Sequence, residues 1–193
     1  MGTNRLEAFT DGVLAIIITI MVLELKVPHG TGLDVLRPLV PVLASYVLSF
    51  VYIGIYWNNH HHLLHACHRV TGSILWANLH LLFWLSLVPF ATGWMGENHF
   101  AALPTAAYGV VLLMAGFAYL LLEQRIVAAE GETSLVKRAL GADWKGKLSV
   151  ALYALAIVLA FVWPRISLAI YAVVAITWFV PDRRMERVLA ETE

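Results

Sequence analysis

Asp11 is an acid at the edge of an apolar stretch, and it sets the chemistry to look for. The segment Arg5-Leu6-Glu7-Ala8-Phe9-Thr10-Asp11-Gly12 runs on to Leu23 and ends at Glu24, leaving only Gly12–Leu23 free of charge. A helix across bare hydrocarbon needs about 20 mostly apolar residues, and an acid inside a span is costly. Such a helix must be shielded at both ends by protein or water. That puts it centrally in an assembly, where a pore would run. A buried carboxylate also needs hydrogen-bond donors. The chain offers them in Trp57-Asn58-Asn59-His60-His61-His62 and further on in Trp76, Asn78 and His80. Asp11 with these groups predicts a polar clamp on one face of the first helix.

On a wheel of about 100° per residue, Arg5, Phe9, Gly12, Thr19, Ile20 and Leu23 fall within about 60° of Ile16, and Asp11 lies about 140° away. One face is therefore a long stripe with a single hydroxyl between Ile16, Ile20 and Leu23. The other face presents Asp11 to the clamp.

The histidines suggest a second chemistry. His61 and His65 are four apart, and His65 and His68 three apart, so a helix would put several on one face. Imidazoles at that spacing suit zinc or iron, and a histidine-based metal- or haem-binding membrane redox protein is the alternative reading. A di-iron oxidase needs several separated histidine boxes and supporting acids, and here there is one cluster with isolated His29, His80 and His99. No metal site and no cofactor are therefore expected. A proton-coupled transporter would need a mid-membrane acid, which the segment lacks. No phosphate loop, nucleophile elbow or zinc-protease motif occurs, so the chain is not read as an enzyme. Without an arginine-rich span, voltage sensing of the usual kind is not expected either.

The elements that must position these groups follow from composition. Of 193 residues 60% are hydrophobic and 13% charged, where soluble domains carry about a quarter. Zero formal net charge argues against nucleic acid as a partner, and the single Cys67 excludes an internal disulfide. The acidic N-terminal region does not resemble a cleaved signal peptide. The fold class is an all-α membrane protein, one domain over 1–193, in contact with membrane lipid. Six transmembrane helices are expected, at about 5–27, 36–57, 70–94, 103–124, 147–163 and 165–180, with helix 1 central. Proline and glycine at Pro28, Gly30 and Gly32, and Pro164 between the last two helices, mark the turns. The polar segment Arg125–Gly146 is expected to hold a short surface helix. Six crossings put Arg5, Arg69, Arg125, Lys137, Arg138, Lys145, Lys147, Arg183, Arg184 and Arg187 on one side, with Lys26, Arg37 and Arg165 on the other. By the positive-inside rule both termini are cytoplasmic.

Arg5-x-x-x-Phe9-Thr10-Asp11 before an isoleucine-rich helix, with Trp57-Asn58-Asn59-His60-His61-His62 at the end of helix 2, resembles the endolysosomal potassium channel family (transmembrane protein 175) in its short prokaryotic form. The family pattern is Arg-x-x-x-Phe-Ser-Asp, and Thr10 keeps the hydroxyl. The resemblance implies a homotetramer whose first helices line a potassium-permeable pore, with potassium ions and further copies of the chain as partners. Carried over by position, Ile16 matches the narrow apolar ring, Thr19 the hydroxyl beyond it, and Ile20 and Leu23 further apolar layers. Arg5, Phe9, Thr10 and Asp11 match the signature, and Trp57, His60, His61, Asn78 and His80 are the candidate clamp. No Thr-Val-Gly-Tyr-Gly filter is present, so modest selectivity for potassium over sodium is expected.

Overall fold

The structure, a computed structural model, describes residues 2–131 and 144–179, and the described elements are all helical. Helix α1 spans Thr3–Leu23, and a 3-10 turn at Leu33–Leu39 runs into α2, Val40–His65. Then come α3 (Gly72–Ser86), α4 (Val88–Glu97), α5 (Ala102–Glu130), α6 (Trp144–Ala160) and α7 (Pro164–Phe179). Among the described residues four stretches are long and apolar enough to cross a membrane: Thr3–Leu23, Leu33–His65, Gly72–Glu97 and Ala102–Glu130. α7 is apolar but shorter, at 16 residues, and α6 has 17.

Most boundaries shift by a few residues from the sequence expectation, α1 ending at Leu23 where Val27 was expected and α6 at Ala160 where Trp163 was expected, and several shifts have a clear local reason. α2 continues through the histidine run to His65, because no proline or glycine interrupts Ile55–His65. Within that run the Asn59 amide donates to the Ile55 carbonyl at 2.8 Å, spending on the helix a side chain that elsewhere would break it. The third crossing is broken between Ser86 and Val88. Pro89 lies in the first turn of α4 and has no N–H to give the preceding turn, while Ser86 Oγ donates to the Phe83 carbonyl at 2.7 Å. Arg125–Glu130 belongs to α5, which stops at Gly131 with a φ of 72°, a left-handed conformation that favours glycine. The remainder of the expected surface helix, over 132–143, and the basic tail beyond Phe179 lie outside the described residues. Finally, Pro164 opens α7, where its missing N–H costs nothing.

α5 packs against α3 and α6 and forms the middle of the subunit, while α1 lies against α2, α3 and α4 at its edge. Only 28% of the apolar part of α1 is buried, against 56% for α5. In hydrocarbon every polar group must find a partner inside the protein. Ser49 shares hydrogen bonds with Thr92 (2.7 Å) and Tyr108 (3.0 Å), tying α2 to α4 and α5. The Tyr52 hydroxyl donates to the Tyr171 carbonyl at 2.7 Å and that of Tyr171 to the Thr105 carbonyl at 3.2 Å. α2 and α4 approach so closely that a Cβ on Gly96 would lie 2.9 Å from the Val42 Cα and strike the Ser45 hydroxyl. The result is a rigid wall behind α1.

Candidate functional site

α1 has two faces, and they differ in kind. Leu6, Thr10, Leu14, Ile17 and Met21 recur every three to four residues and are buried against α2–α4. Arg5, Phe9, Gly12, Ile16, Thr19, Ile20 and Leu23 lie on the opposite side and are exposed, Ile16 by 58% and Leu23 by 83%. In a membrane such a stripe is covered by lipid or by further protein, as are the exposed faces of α2 and α7 at Val47, Phe50 and Ile176. Within it, the Thr19 hydroxyl donates to the Ile16 carbonyl at 2.9 Å. The proton is thereby spent on the helix, and the oxygen lone pairs remain for an outside partner.

The packed face carries the clamp. Trp57 Nε1 donates to Asp11 Oδ1 at 3.0 Å. Asn78 Nδ2 donates to the Thr10 hydroxyl at 3.0 Å, and its carbonyl oxygen lies 2.7 Å from His60 Nε2. An amide oxygen only accepts, so His60 carries its proton on Nε2. Thr10, His60 and Asn78 are 1%, 2% and 0% exposed, so this chain of bonds is sealed from solvent and each member depends on its neighbours. One turn earlier, His61 Nδ1 lies 2.6 Å from Glu7 Oε1. α2 and α3 thus hold three acceptors on two turns of α1.

Not every sequence candidate enters this clamp. Arg5 and Phe9 lie on the bare face. His80 does not reach α1: its Nε2 accepts the Trp84 indole N–H at 3.0 Å within α3, because positions four apart share a face. Trp76 is exposed. Glu7 is the clamp member that the signature does not single out, although its position one turn before Asp11 places both acids on one face. The histidines are otherwise engaged. His61 stacks on His65 with ring centroids 5.2 Å apart, and His68 pairs with Glu130, which also accepts the backbone N–H groups of His68 and Arg69. Among the described residues no three metal-ligating groups converge. Beside this loop Cys67 is buried, and that burial raises its thiol pKa.

The far end of α1 is fastened differently. Lys26 Nζ pairs with Glu97 Oε1 at 2.7 Å, and the hydrogen bond raises the ammonium pKa. Between α1 and α4 a groove of about 630 Å³ opens, lined by Ile16, Ile20 and Glu24 on one side and Phe90, Gly93 and Trp94 on the other.

The model of the family described as endosomal/lysosomal potassium channel TMEM175 matches residues 5–89, the segment that carries both faces of α1 and every clamp partner. A potassium channel of Chryseobacterium sp. (strain P1-3) is 53% identical over 191 residues, covering 99% of this chain and 100% of that protein. The chain belongs to the TMEM175 family. A potassium channel of Streptomyces collinus is 31% identical over 196 residues, covering 90% of each. The crystal structure of a lysosomal potassium-selective channel TMEM175 homolog from Chamaesiphon minutus superposes with a TM-score of 0.81 at 28% identity, covering 93% of this chain and 97% of that one. The all-helical fold is the one that TMEM175 homolog adopts, and the chain is a multi-pass membrane protein.

Proposed function

We propose that this chain is a potassium channel of the cell membrane, assembled from four copies with α1 of each around a common axis and both termini cytoplasmic. The observation that carries the reading is the division of α1: one face fixed by the buried Thr10–Asn78–His60 bonds and the more exposed Trp57–Asp11 bond, the other bare and largely apolar from Phe9 to Leu23. A helix held so firmly from behind and left uncovered in front is suited to line something. The potassium channels to which the chain is similar support the choice of ion.

In this reading Ile16 supplies the neck. A ring of isoleucines gives an ion no replacement for hydration water, so it acts as a size-limiting or dewetting constriction. Sodium holds its water more tightly than potassium, and a neck that strips water admits potassium more readily. Thr19 stands one turn beyond, with lone pairs turned outward by its bond to the Ile16 carbonyl, and can receive the partly dehydrated cation. Ile20 and Leu23 form wider apolar layers.

Reconstitution of the pure protein in liposomes tests the proposal. Potassium efflux should exceed sodium efflux under equal gradients. Liposomes impermeable to both ions would overturn it.

A further inference from the structure

Glu24 follows directly on the bare stripe, and its place is set by a residue on another helix. A Cβ built on Gly93 would lie 2.5 Å from Glu24 Oε2. The carboxylate therefore occupies the room a side chain on α4 would take. There it lines the groove that runs along Ile16 and Ile20, and a second groove of about 310 Å³ beside Lys26 and Val42. Lys26 is hydrogen-bonded to Glu97 and attracted more weakly by Glu24, so it is shared between two carboxylates and neutralises only one of them. Asp34 and Arg37 of the 3-10 turn offset one another. Beside the groove Glu24, Lys26 and Glu97 together leave one net negative charge, while Asp34, Arg37 and Arg165 bring the whole of this end to zero, so the field is local to the groove.

We propose that Glu24, seated on Gly93, is the fixed charge that concentrates potassium at the mouth of the pore opposite the N-terminus. The inference rests on the reading of α1 as pore lining and adds a conductance-setting residue to it. A charge at a mouth lined by low-dielectric walls raises the local concentration of counter-ions without binding any of them tightly. Its reach is set by salt: the Debye length is about 30 Å at 0.01 M and about 3 Å at 1 M. The effect must therefore fade as potassium chloride is raised. It must also be larger for ions entering from the Glu24 end.

Planar-bilayer currents of the purified channel at low and high potassium chloride test this. Glu24→Gln should lower the current carried by potassium entering at that end by about two- to fivefold at about 0.01 M, and leave it unchanged at about 1 M. Glu24→Asp keeps the charge and should keep most of the low-salt current. Gly93→Ala displaces the flexible carboxylate toward Lys26 without removing it, and should give a smaller loss of the same sign. Glu24→Gln combined with Gly93→Ala should behave as Glu24→Gln alone, since the glycine acts only through the carboxylate. A Glu24→Gln loss of equal size at both salt concentrations, or no loss, would overturn the role of the charge while leaving a conducting pore in place. Wild-type low-salt current in Gly93→Ala would overturn the seating. A wild-type protein that carries no potassium would instead fail the pore reading itself.

Discussion

At the scale of single residues, neighbours in sequence have opposite tasks. Ile16 is 58% exposed and Ile17 is 3% exposed, so the same substitution at the two sites must do different things. Ile16→Asn widens the neck in every copy and lets water wet it without contacting hydrocarbon. Hydrated ions then pass without shedding water. Conductance should rise severalfold and the potassium-to-sodium preference should fall with it. Ile17→Asn buries an amide among Leu14, Met21 and the wall behind them, at a cost of about 2–4 kcal/mol, and should lower expression and melting temperature without that paired signature. Thr19→Val keeps the bulk, removes the outward oxygen, and should shift selectivity with little change in current. Reversal potentials for the three variants in bilayers check the set, and unchanged selectivity in Ile16→Asn would remove it from the neck. The two faces were legible in the sequence because a period of 3.6 is a property of the helix alone. Which acids and imidazoles pair was less so. His80 and Asn78 stand two apart on α3, and a difference of about 200° sends one to Trp84 and the other to Thr10.

At the scale of elements, the clamp decides where α1 stands. Removing Asn78 by Asn78→Ala leaves the Thr10 hydroxyl and the His60 N–H without partners in a sealed site. Each orphan costs about 1–3 kcal/mol, so the melting temperature should drop markedly. Asp11→Ala removes an acceptor that is only half-buried and whose donor, Trp57, is half exposed, so its cost should be smaller. Both should harm assembly more than selectivity, since neither side chain reaches the bare stripe. Thermal melts and gel filtration beside reversal potentials would separate the two effects. A large selectivity change in an Asp11→Ala channel that assembled normally would mean that α1 is rotated from the orientation described. The helix limits were less legible than the faces. Asn58, Asn59 and three histidines in a row look like a connection, yet Asn59 bonds back to Ile55 and Tyr119 donates to its carbonyl at 3.1 Å, so tertiary contact holds them helical. Pro89 was visible, but whether a proline bends or divides a span depends on what packs behind it, and here Thr92 is hydrogen-bonded to Ser49 across the interface.

At the scale of the whole molecule, α1 lies at the edge of one chain although the sequence assigns it the centre. The two descriptions are compatible only if copies meet along the stripe. The detergent-solubilised protein should then have a protein mass four times the 21.4 kDa of one chain. The single native cysteine makes a sharper test possible. Cys67 is 3% exposed and burial raises its thiol pKa, so it should react slowly, because the thiolate is the reactive species. Replacing it with alanine leaves a silent background. In that background Ile16→Cys puts one thiol per copy at a single level around the axis. Soft thiolate ligands brought together in this way bind soft metal ions tightly, so micromolar cadmium should block the current and a chelator should restore it. Ile17→Cys, one residue on and buried in the subunit wall, should be insensitive. Leu23→Cys, at the exposed end of the stripe, should be modified quickly by a charged, water-soluble thiol reagent, and more slowly as the cysteine is moved back toward position 16. Cadmium block in the Ile17 variant with none in the Ile16 variant would put the other face of α1 on the axis, and the stripe would then face lipid.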